Sequence, residues 1–313
     1  WQTALYEPKR GGVMTKHVAV LMGGWSAERE VSLVSGANCA NALKDAGYDV
    51  TSIDVQRDMA ALMTRLYPKP DVVFNALHGR YGEDGCVQGL LDILAIPYTH
   101  SGVLASAIAM DKPMAKKLFA LAGIPVAEHL LASPDEILAG DLMARPYVIK
   151  PVNEGSSVGI QILRVGKNYL VLDEGMAGAS QMMIEAFIPG REFTITIMGG
   201  KALAVTEVKT ERLFYDYDAK YAAGGSIHEI PAKIDKNIEV EAMRLAELAH
   251  AVLGCRGVSR ADFRFDGERL VILELNTQPG MTPTSLVPEQ AAYAGISFPK
   301  LVSWMVENAE FDE

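Results

Sequence analysis

The sequence predicts an α/β protein of two or three domains, and three observations carry that expectation. Up to about residue 125, short apolar runs alternate with amphipathic stretches closed by glycine. From about residue 147 the pattern changes to strands and hairpins. The length, 313 residues, exceeds what one hydrophobic core usually organises.

Taken in order, WQTALYEPKRGGV (1–13) has no periodicity, precedes Met14 and reads as an extension outside the fold. HVAVLMGG (17–24) is an apolar strand entering a glycine pair. Ser26 then offers an N-cap for a helix through about Ala46, which Gly47 closes. YDVTSIDV (48–55) and DVVFNAL (71–77) are strands, and with a helix near 83–95 the βαβ order implies a parallel, twisted sheet. MDKPMAKKLFALAGIP (110–125) is a helix stopped by Gly123 and Pro125. YVIKPV, GIQILRV, QMMIEAFI and EFTITIMGGKALAVTEV read as strands and hairpins. Residues 209–228, irregular and rich in aromatics, read as an ordered functional loop. NIEVEAMRLAELAHAVLG (237–254) is an amphipathic helix ended by Gly254, followed by strands at 258–265 and 269–275.

Composition narrows the function. A net charge of −10 and pI near 5.2 exclude a general nucleic-acid binder, which would show a basic face. A polyanion could still bind in a local basic pocket with a metal. Cys39, Cys86 and Cys255 lie far apart with no metal spacing, the usage of a reducing cytoplasm. No apolar run approaches the roughly 18 residues of a membrane span, and no signal-peptide core is evident, so a cytoplasmic protein without membrane partners is expected.

Two neighbouring stretches carry chemistry. In SRADFRFD (259–266), Arg260, Asp262 and Arg264 alternate with Ala261, Phe263 and Phe265, giving the strand a polar face. In VILELNTQPGM (271–281), an apolar strand start is followed by Glu274 and Asn276 two apart, on one face. An ionised carboxylate in a packed sheet needs compensation. Asp262, Glu274 and Asn276 together make a hard-oxygen set suited to Mg²⁺ bridging phosphates. A solvated face with Arg–Glu pairs accounts equally well for the pattern alone. Register separates the readings. A two-residue Asp266-Gly267 turn would put Asp262 and Glu274 on opposite faces, so a shared metal requires a three- or five-residue connection or a bulge.

YVIKPVNEGSSVGI (147–160) supplies an anion side, with Lys150 at a strand end and a loop holding Ser156 and Ser157 whose N–H groups could close over phosphates. It lacks the Walker pattern, and a hairpin turn with a surface lysine fits the loop as well. Taken singly, Lys112, Glu185 and Glu192 read equally as surface charges, Glu28 as a complement to a helix dipole, and His78 as a structural hydrogen-bonder.

The motifs become specific in combination. LMGGWSAEREVSLVSG (21–36), LHGRYGEDG (77–85), MDK (110–112), VIKPVNEGSSVG, FYDYDAKY (214–221), SRADF and ELNTQPGMTPTSLVP (274–288) occur in one order across nearly all of residues 16–306. In these the chain resembles the D-alanine–D-alanine ligases of the ATP-grasp superfamily. The resemblance implies a Rossmann-like domain at 14–110, a small central α+β ATP-grasp part at 111–185, and a mixed-sheet C-terminal part at 186–313 with a catalytic loop at 209–228. It implies ATP and two Mg²⁺ ions, with Mn²⁺ able to substitute. Two D-alanines would be joined through an acylphosphate for peptidoglycan synthesis, by a homodimer.

Residue by residue, the resemblance gives Glu28 and His78 to the first D-alanine's ammonium. Ser156 and Tyr221 would link Glu28 to the mobile loop. Arg260 and the Gly280 N–H would be donors to the tetrahedral oxygen, and Ser285 with Leu286 would cradle the second carboxylate. Lys112, Lys150 and Lys220 would bind phosphates, with Ser156, Ser157 and Asn276 alongside. Glu185, Ile188 and Glu192 would form the adenine and ribose pocket, and Asp262, Glu274 and Asn276 would hold the metals. Two positions depart: Ala186 stands where many relatives have lysine, and Gln278 where serine is frequent, the latter with no mechanistic change expected. A D-lactate-using depsipeptide ligase is the alternative, opposed by the Tyr221 motif; a silent nucleotide-binding relative is another, opposed by the intact ligand set.

Overall fold

The computed structural model describes residues 15–153, 159–166, 179–209 and 226–312. Strand β1 (His17–Gly23) pairs in parallel with both β2 (Asp49–Val55) and β3 (Val72–Asn75), giving the order β2-β1-β3. Helices on both faces explain why β1 is an unbroken apolar run. Val18, Val20 and Met22 face one side, against Cys39 and Leu43 of α1 (Arg29–Asp45). Ala19 and Leu21 face the other, with Leu62 of α2 (Met59–Arg65) and Leu91 of α3 (Cys86–Ile93).

Helix α1 starts later than the sequence suggests. Its N-cap is Glu28, with no side-chain capping bond. Ser26 lies two residues before that cap; its hydroxyl accepts from the Glu28 N–H at 3.2 Å and donates to the His78 carbonyl at 2.7 Å, so it ties the helix entry to the loop after β3. Helix α4 (Val103–Met110) ends at Asp111, which caps α5 (Lys112–Leu121) by accepting from the Met114 N–H at 2.9 Å.

A second sheet, in the order β4-β7-β5-β6, joins β4 (His129–Ala132), β5 (Tyr147–Pro151), β6 (Gln161–Leu163) and β7 (Met182–Ala186) in antiparallel pairs. Helix α6 (Pro134–Ala139) lies against it and is held by a Ser133–Glu136 capping box. The third sheet, β10-β9-β8-β11-β12, contains β8 (Arg191–Met198), β9 (Lys201–Lys209), β10 (Ile227–Glu229), β11 (Val258–Phe265) and β12 (Leu270–Asn276). Its strand pairs are antiparallel, and a parallel bridge from Val126 to Ile272 extends the β12 edge.

Period-two alternation divides that third sheet sharply. Phe193, Ile195, Ile197, Ala261, Phe263 and Ile272 pack under Leu245, Ala246 and Ala249 of α7 (Lys236–Val252). Thr194, Thr196 and Asp262 take the other side. Between Ile195 and Ile197 the β8–β9 register shifts, and the buried Gln290 of α8 (Leu286–Tyr293) repairs the ladder. Its Oε1 accepts from the Thr196 N–H at 2.8 Å and its Nε2 donates to the Thr194 carbonyl at 3.2 Å. Helix α9 (Phe298–Glu307) returns to the first sheet, packing against α1 and β3 with Leu301, Val302 and Met305 in the same cluster as Val18 and Val20. Among the described residues no helix is long and apolar enough to cross a membrane.

Two buried histidines set an acid limit on this fold. His250 Nδ1 lies 2.7 Å from Ser259 Oγ, and His100 Nδ1 lies 3.4 Å from the Val258 carbonyl. Burial pushes both imidazoles down to about 4. The unfolded chain, with imidazoles near 6.5, therefore binds protons first as pH falls, and stability present above about pH 6.5 is lost towards pH 4. Each histidine is expected to remove about 2 kcal/mol by pH 5. Urea unfolding at pH 7 and pH 5 measures it, and His250→Gln should remove about half of the difference, leaving the share of His100. Equal stability at both pH values would show that the imidazoles charge freely in the fold.

Candidate active site

The β11–β12 pairing decides which side chains share a face. Four residues, Asp266 to Arg269, connect the strands, since Phe265 opposes Leu270. That even count would set Asp262 opposite Leu273 and turn Glu274 away. Instead the register shifts between Asp262 and Phe263, leaving Leu273 as the extra residue of a bulge. Beyond it Asp262 opposes Glu274 and Arg260 opposes Asn276, so all four occupy one face. The bulge that a shared site required is present.

Charge on that face is compensated. Arg260 forks onto Asp262, with Nε and Nη2 donating at 2.9 and 2.8 Å, and Thr194 Oγ1 donates to the same carboxylate at 2.6 Å. Lys112 Nζ lies 3.7 Å from Glu274 Oε2, and Asn276 Oδ1 accepts from the Gln278 N–H at 2.9 Å. No three His, Cys, Asp or Glu side chains converge among the described residues. The set is two carboxylates and an amide oxygen. That fits a hard cation which completes its shell with phosphate oxygens and water, and does not fit a dedicated all-protein cage.

Beside this face lies a buried charge triad. Glu185 is 3% exposed, between Lys150, whose Nζ donates at 2.6 Å, and Lys116, which is 1% exposed and pairs with the other carboxylate oxygen. Burial would raise the Glu185 carboxyl, but the charges of Lys150 and Lys116 outweigh it and hold it below its ordinary value. Burial lowers the Lys116 ammonium. Lys150 and Glu185 were expected here; Lys116 was not. Its signal was the buried stripe of α5, in which Lys112, Ala115, Lys116 and Phe119 follow the i, i+3, i+4, i+7 spacing of an inward helix face. Glu192 pairs with Arg264 Nη1 at 3.0 Å, and the Ile188 carbonyl accepts from Arg264 Nε at 3.2 Å, so these two share one anchor.

The opposite side is built by loops from the first sheet. Glu28 is buried, and Gly79 (φ +70°) runs so close that a Cβ there would meet its carboxylate at 2.7 Å. His78 Nδ1 lies 2.9 Å from Glu83 Oε1, and its Nε2 lies 3.2 Å from Ser35 Oγ. Ser35 Oγ accepts the Met281 N–H, which brings His78 alongside the turn containing Gly280. A Cβ at Gly280 would sit 3.2 Å from Ser285 Oγ, a close approach that favours glycine. Ser285 accepts from the Thr282 N–H at 2.9 Å, and Leu286 begins α8, buried against Val208. Ser156, Ser157, Lys220 and Tyr221 lie outside the described residues.

The triad yields a stability prediction. Glu185→Leu leaves two buried ammonium groups without a counter-charge and is expected to cost about 3–5 kcal/mol. Removing the exposed Lys16–Glu307 pair should cost under about 1 kcal/mol. Urea midpoints compare them, and equal small losses would mean that the triad is not charged in the fold.

Residues 59–101 match the family model described as D-ala D-ala ligase N-terminus, and residues 118–307 match D-ala D-ala ligase C-terminus. The D-alanine–D-alanine ligase of Rhodospirillum rubrum is 60% identical over 301 residues, covering 96% of this chain and 100% of that protein. That of Acidiphilium cryptum is 58% identical over 297 residues, covering 94% and 98%. The crystal structure of the D-alanine–D-alanine ligase from Bacillus anthracis superposes with a TM-score of 0.79 at 31% identity, covering 94% of this chain and 97% of that one. The same enzyme complexed with ATP gives 0.78 at 30% identity, covering 95% and 97%. The chain belongs to the D-alanine–D-alanine ligase family, with its ATP-grasp fold.

Proposed function

We propose that this chain is an ATP-dependent ligase that joins two D-alanines into D-alanyl-D-alanine for peptidoglycan synthesis. The observation that carries the reading is the single polar face holding Arg260, Asp262, Glu274 and Asn276, with Lys112 beside it. Relatives named D-alanine–D-alanine ligase at 54 to 60% identity support it.

A free carboxylate is a poor electrophile, so it must first be activated. The γ-phosphoryl group of ATP passes to a carboxylate oxygen of the first D-alanine; a P–O bond forms there, the β–γ bond breaks, and ADP leaves. The second D-alanine's amine, having lost a proton, attacks the carbonyl carbon. A C–N bond forms, the C–O bond to phosphate breaks, and phosphate departs.

Each part of the site has a role in that sequence. Buried Glu28, with His78 nearby, holds the first substrate's ammonium. Arg260, fixed by its fork on Asp262, and the Gly280 N–H serve as donors where the tetrahedral oxygen develops charge. Ser285 and Leu286 receive the second carboxylate at the start of α8. Lys112 and Lys150, joined by Lys220, offset phosphate charge. The Lys116–Glu185–Lys150 triad carries one excess positive charge, which suits a polyanion. Ile188 and Glu192 flank the adenine and ribose. Ser156 and Tyr221 link Glu28 to the loop and close the site against water, and Ser157 joins the phosphate contacts. Asp262, Glu274 and Asn276 are the residues that would hold two Mg²⁺ ions, which supply neutralisation of the phosphate oxygens.

The same reading divides the chain at about residues 110 and 185 and places it in the cytoplasm, where ATP is available. The homodimer it includes is checked by sedimentation.

Phosphate release from ATP with Mg²⁺ tests the function. It should depend on D-alanine and not L-alanine, with D-alanyl-D-alanine formed in proportion and no gain from D-lactate. Glu274→Gln should lower turnover by about 100-fold or more with an unchanged urea midpoint. Near-normal turnover in that variant would remove Glu274 from the metal set. ATP binding without D-alanine-dependent release would favour a silent nucleotide-binding relative.

A further inference from the structure

Gln278 joins parts of the chain that nothing local brings together. It is 1% exposed, and both ends of its amide are used. Oε1 accepts from Asn75 Nδ2 at 2.7 Å, across 203 residues, and Nε2 donates to the Leu77 carbonyl, across 201 residues. Its backbone N–H donates to Asn276 Oδ1 at 2.9 Å.

Asn75 is equally committed. Fully buried, it donates its second N–H to the Gly82 carbonyl at 3.0 Å and accepts from the Leu77 N–H at 3.2 Å. These partners fix the orientation of both amides, because each oxygen faces a donor and each nitrogen an acceptor. The pair therefore grips the loop that carries His78 at its start, Leu77, and near its end, Gly82. It ties that loop to a residue two before Gly280 and two after the candidate ligand Asn276. On the far side of Gly280, the Met281 N–H donates to Ser35 Oγ at 3.2 Å and its carbonyl accepts from Asn38 Nδ2 at 2.7 Å. Gly280 is thus bracketed by two residues anchored to the first sheet and its helix.

We infer that Gln278 is a positioning residue: its buried amide, paired with Asn75, sets the distance between the first-substrate loop and the Gly280 N–H. This rests on the site reading proposed above, in which His78 and Glu28 hold the first D-alanine while Gly280 meets its carboxyl oxygen. Both contacts must fit one small molecule, and a displacement of about 1 Å at such a centre costs on the order of 100-fold in rate. Serine at this position could not span from β12 to Asn75 and Leu77, so the departure at Gln278 has a structural consequence here.

The test is Gln278→Leu, similar in size but unable to hydrogen-bond, which also strands the Asn75 N–H and the Leu77 carbonyl. The D-alanine dependence of phosphate release at saturating ATP and Mg²⁺ is resolved into two apparent KM values. The first-site KM should rise about tenfold and kcat fall about tenfold, while the KM for ATP stays within twofold. Gln278→Asn keeps an amide too short to reach both partners; it should move the same two constants at least threefold, and keeps the test readable if the leucine variant does not fold. Leu245→Ala in the α7 core should lower the urea midpoint without moving the first-site KM, which separates positioning from general destabilisation. Unchanged first-site KM and kcat in the folded Gln278 variants, or equal rises in the KM for ATP and D-alanine, would overturn the inference. Glu28→Gln, run in parallel, should raise the first-site KM on the site reading alone. If it does and the Gln278 variants do not, only the inference falls; if it does not, the site reading falls and the inference with it.

Discussion

One pairing, Asp262 with Glu274, is the constraint on which the rest of the site depends. Side chains alternate strictly along a strand, so a slip of one residue would exchange the polar and apolar faces of β12. The four-residue connection alone produces the wrong parity, and the bulge at Leu273 corrects it. The core face continues through the correction: Phe263 opposes Ile272 before the bulge and Ala261 opposes Leu275 after it, all four in the core under α7. The extra residue thus lets β12 keep that face buried while turning Glu274 and Asn276 to the side of Asp262 and Arg260.

An acidic chain of net charge −10 still presents a place for a polyanion, because three of its lysines, Lys112, Lys116 and Lys150, are buried close to one another. Lys116 and Lys150 share one carboxylate, Glu185, and Lys112 stands near Glu274. Burying such charges is not an efficient way to stabilise a fold, since apolar replacements of similar volume are often neutral or better. Their presence makes sense if the excess positive charge has a task. Burial then helps twice: it limits rotamer freedom, and it keeps the local dielectric low so that charge added nearby is felt strongly.

Much of this was legible in the sequence where the signal was periodic. The alternation in SRADFRFD named the polar face, and the apolar run of β1 with the βαβ order named a strand of a parallel sheet. What stayed hidden depended on distant partners. Ser26 has the residue type of an N-cap, yet the helix begins at Arg29 and the Ser26 hydroxyl bridges the Glu28 N–H to the distant His78 carbonyl. Lys116 occupies an inward helical position, but nothing local in the sequence points to its partner Glu185, 69 residues away. Gln278 stood out only as a departure with no mechanistic change expected, because its partners lie about two hundred residues earlier and no local pattern reports such a contact. Even the bulge could be stated only as a requirement: the sequence showed that parity had to be corrected, without showing where.

The hydrophobic clusters explain why the long-range amide pair can be accurate. Val18, Val20 and Phe74 of the first sheet pack in one cluster with Met281, Val287, Leu301 and Met305, so the turn that carries Gly280 is cored together with the sheet that carries Glu28 and His78. The β4-β7-β5-β6 sheet has a cluster of its own, built on Tyr147, Ile149, Met182 and Ile184. Lys150 and Glu185 stand on that second body, and α5 brings Lys112 and Lys116 to them from the core under α7. Hydrophobic packing fixes positions only to within the slack of interdigitating side chains, whereas a buried amide pair fixes a distance and a direction at a large cost if either is lost. The division of labour follows: apolar contacts bring the substrate loop and the Gly280 turn into one rigid unit, and the Gln278–Asn75 pair sets their spacing within it. The buried lysines stand on two other cores, Lys150 with the second sheet and Lys112 and Lys116 with the core under α7, and the ion pairs of Lys116 and Lys150 with Glu185 join those two.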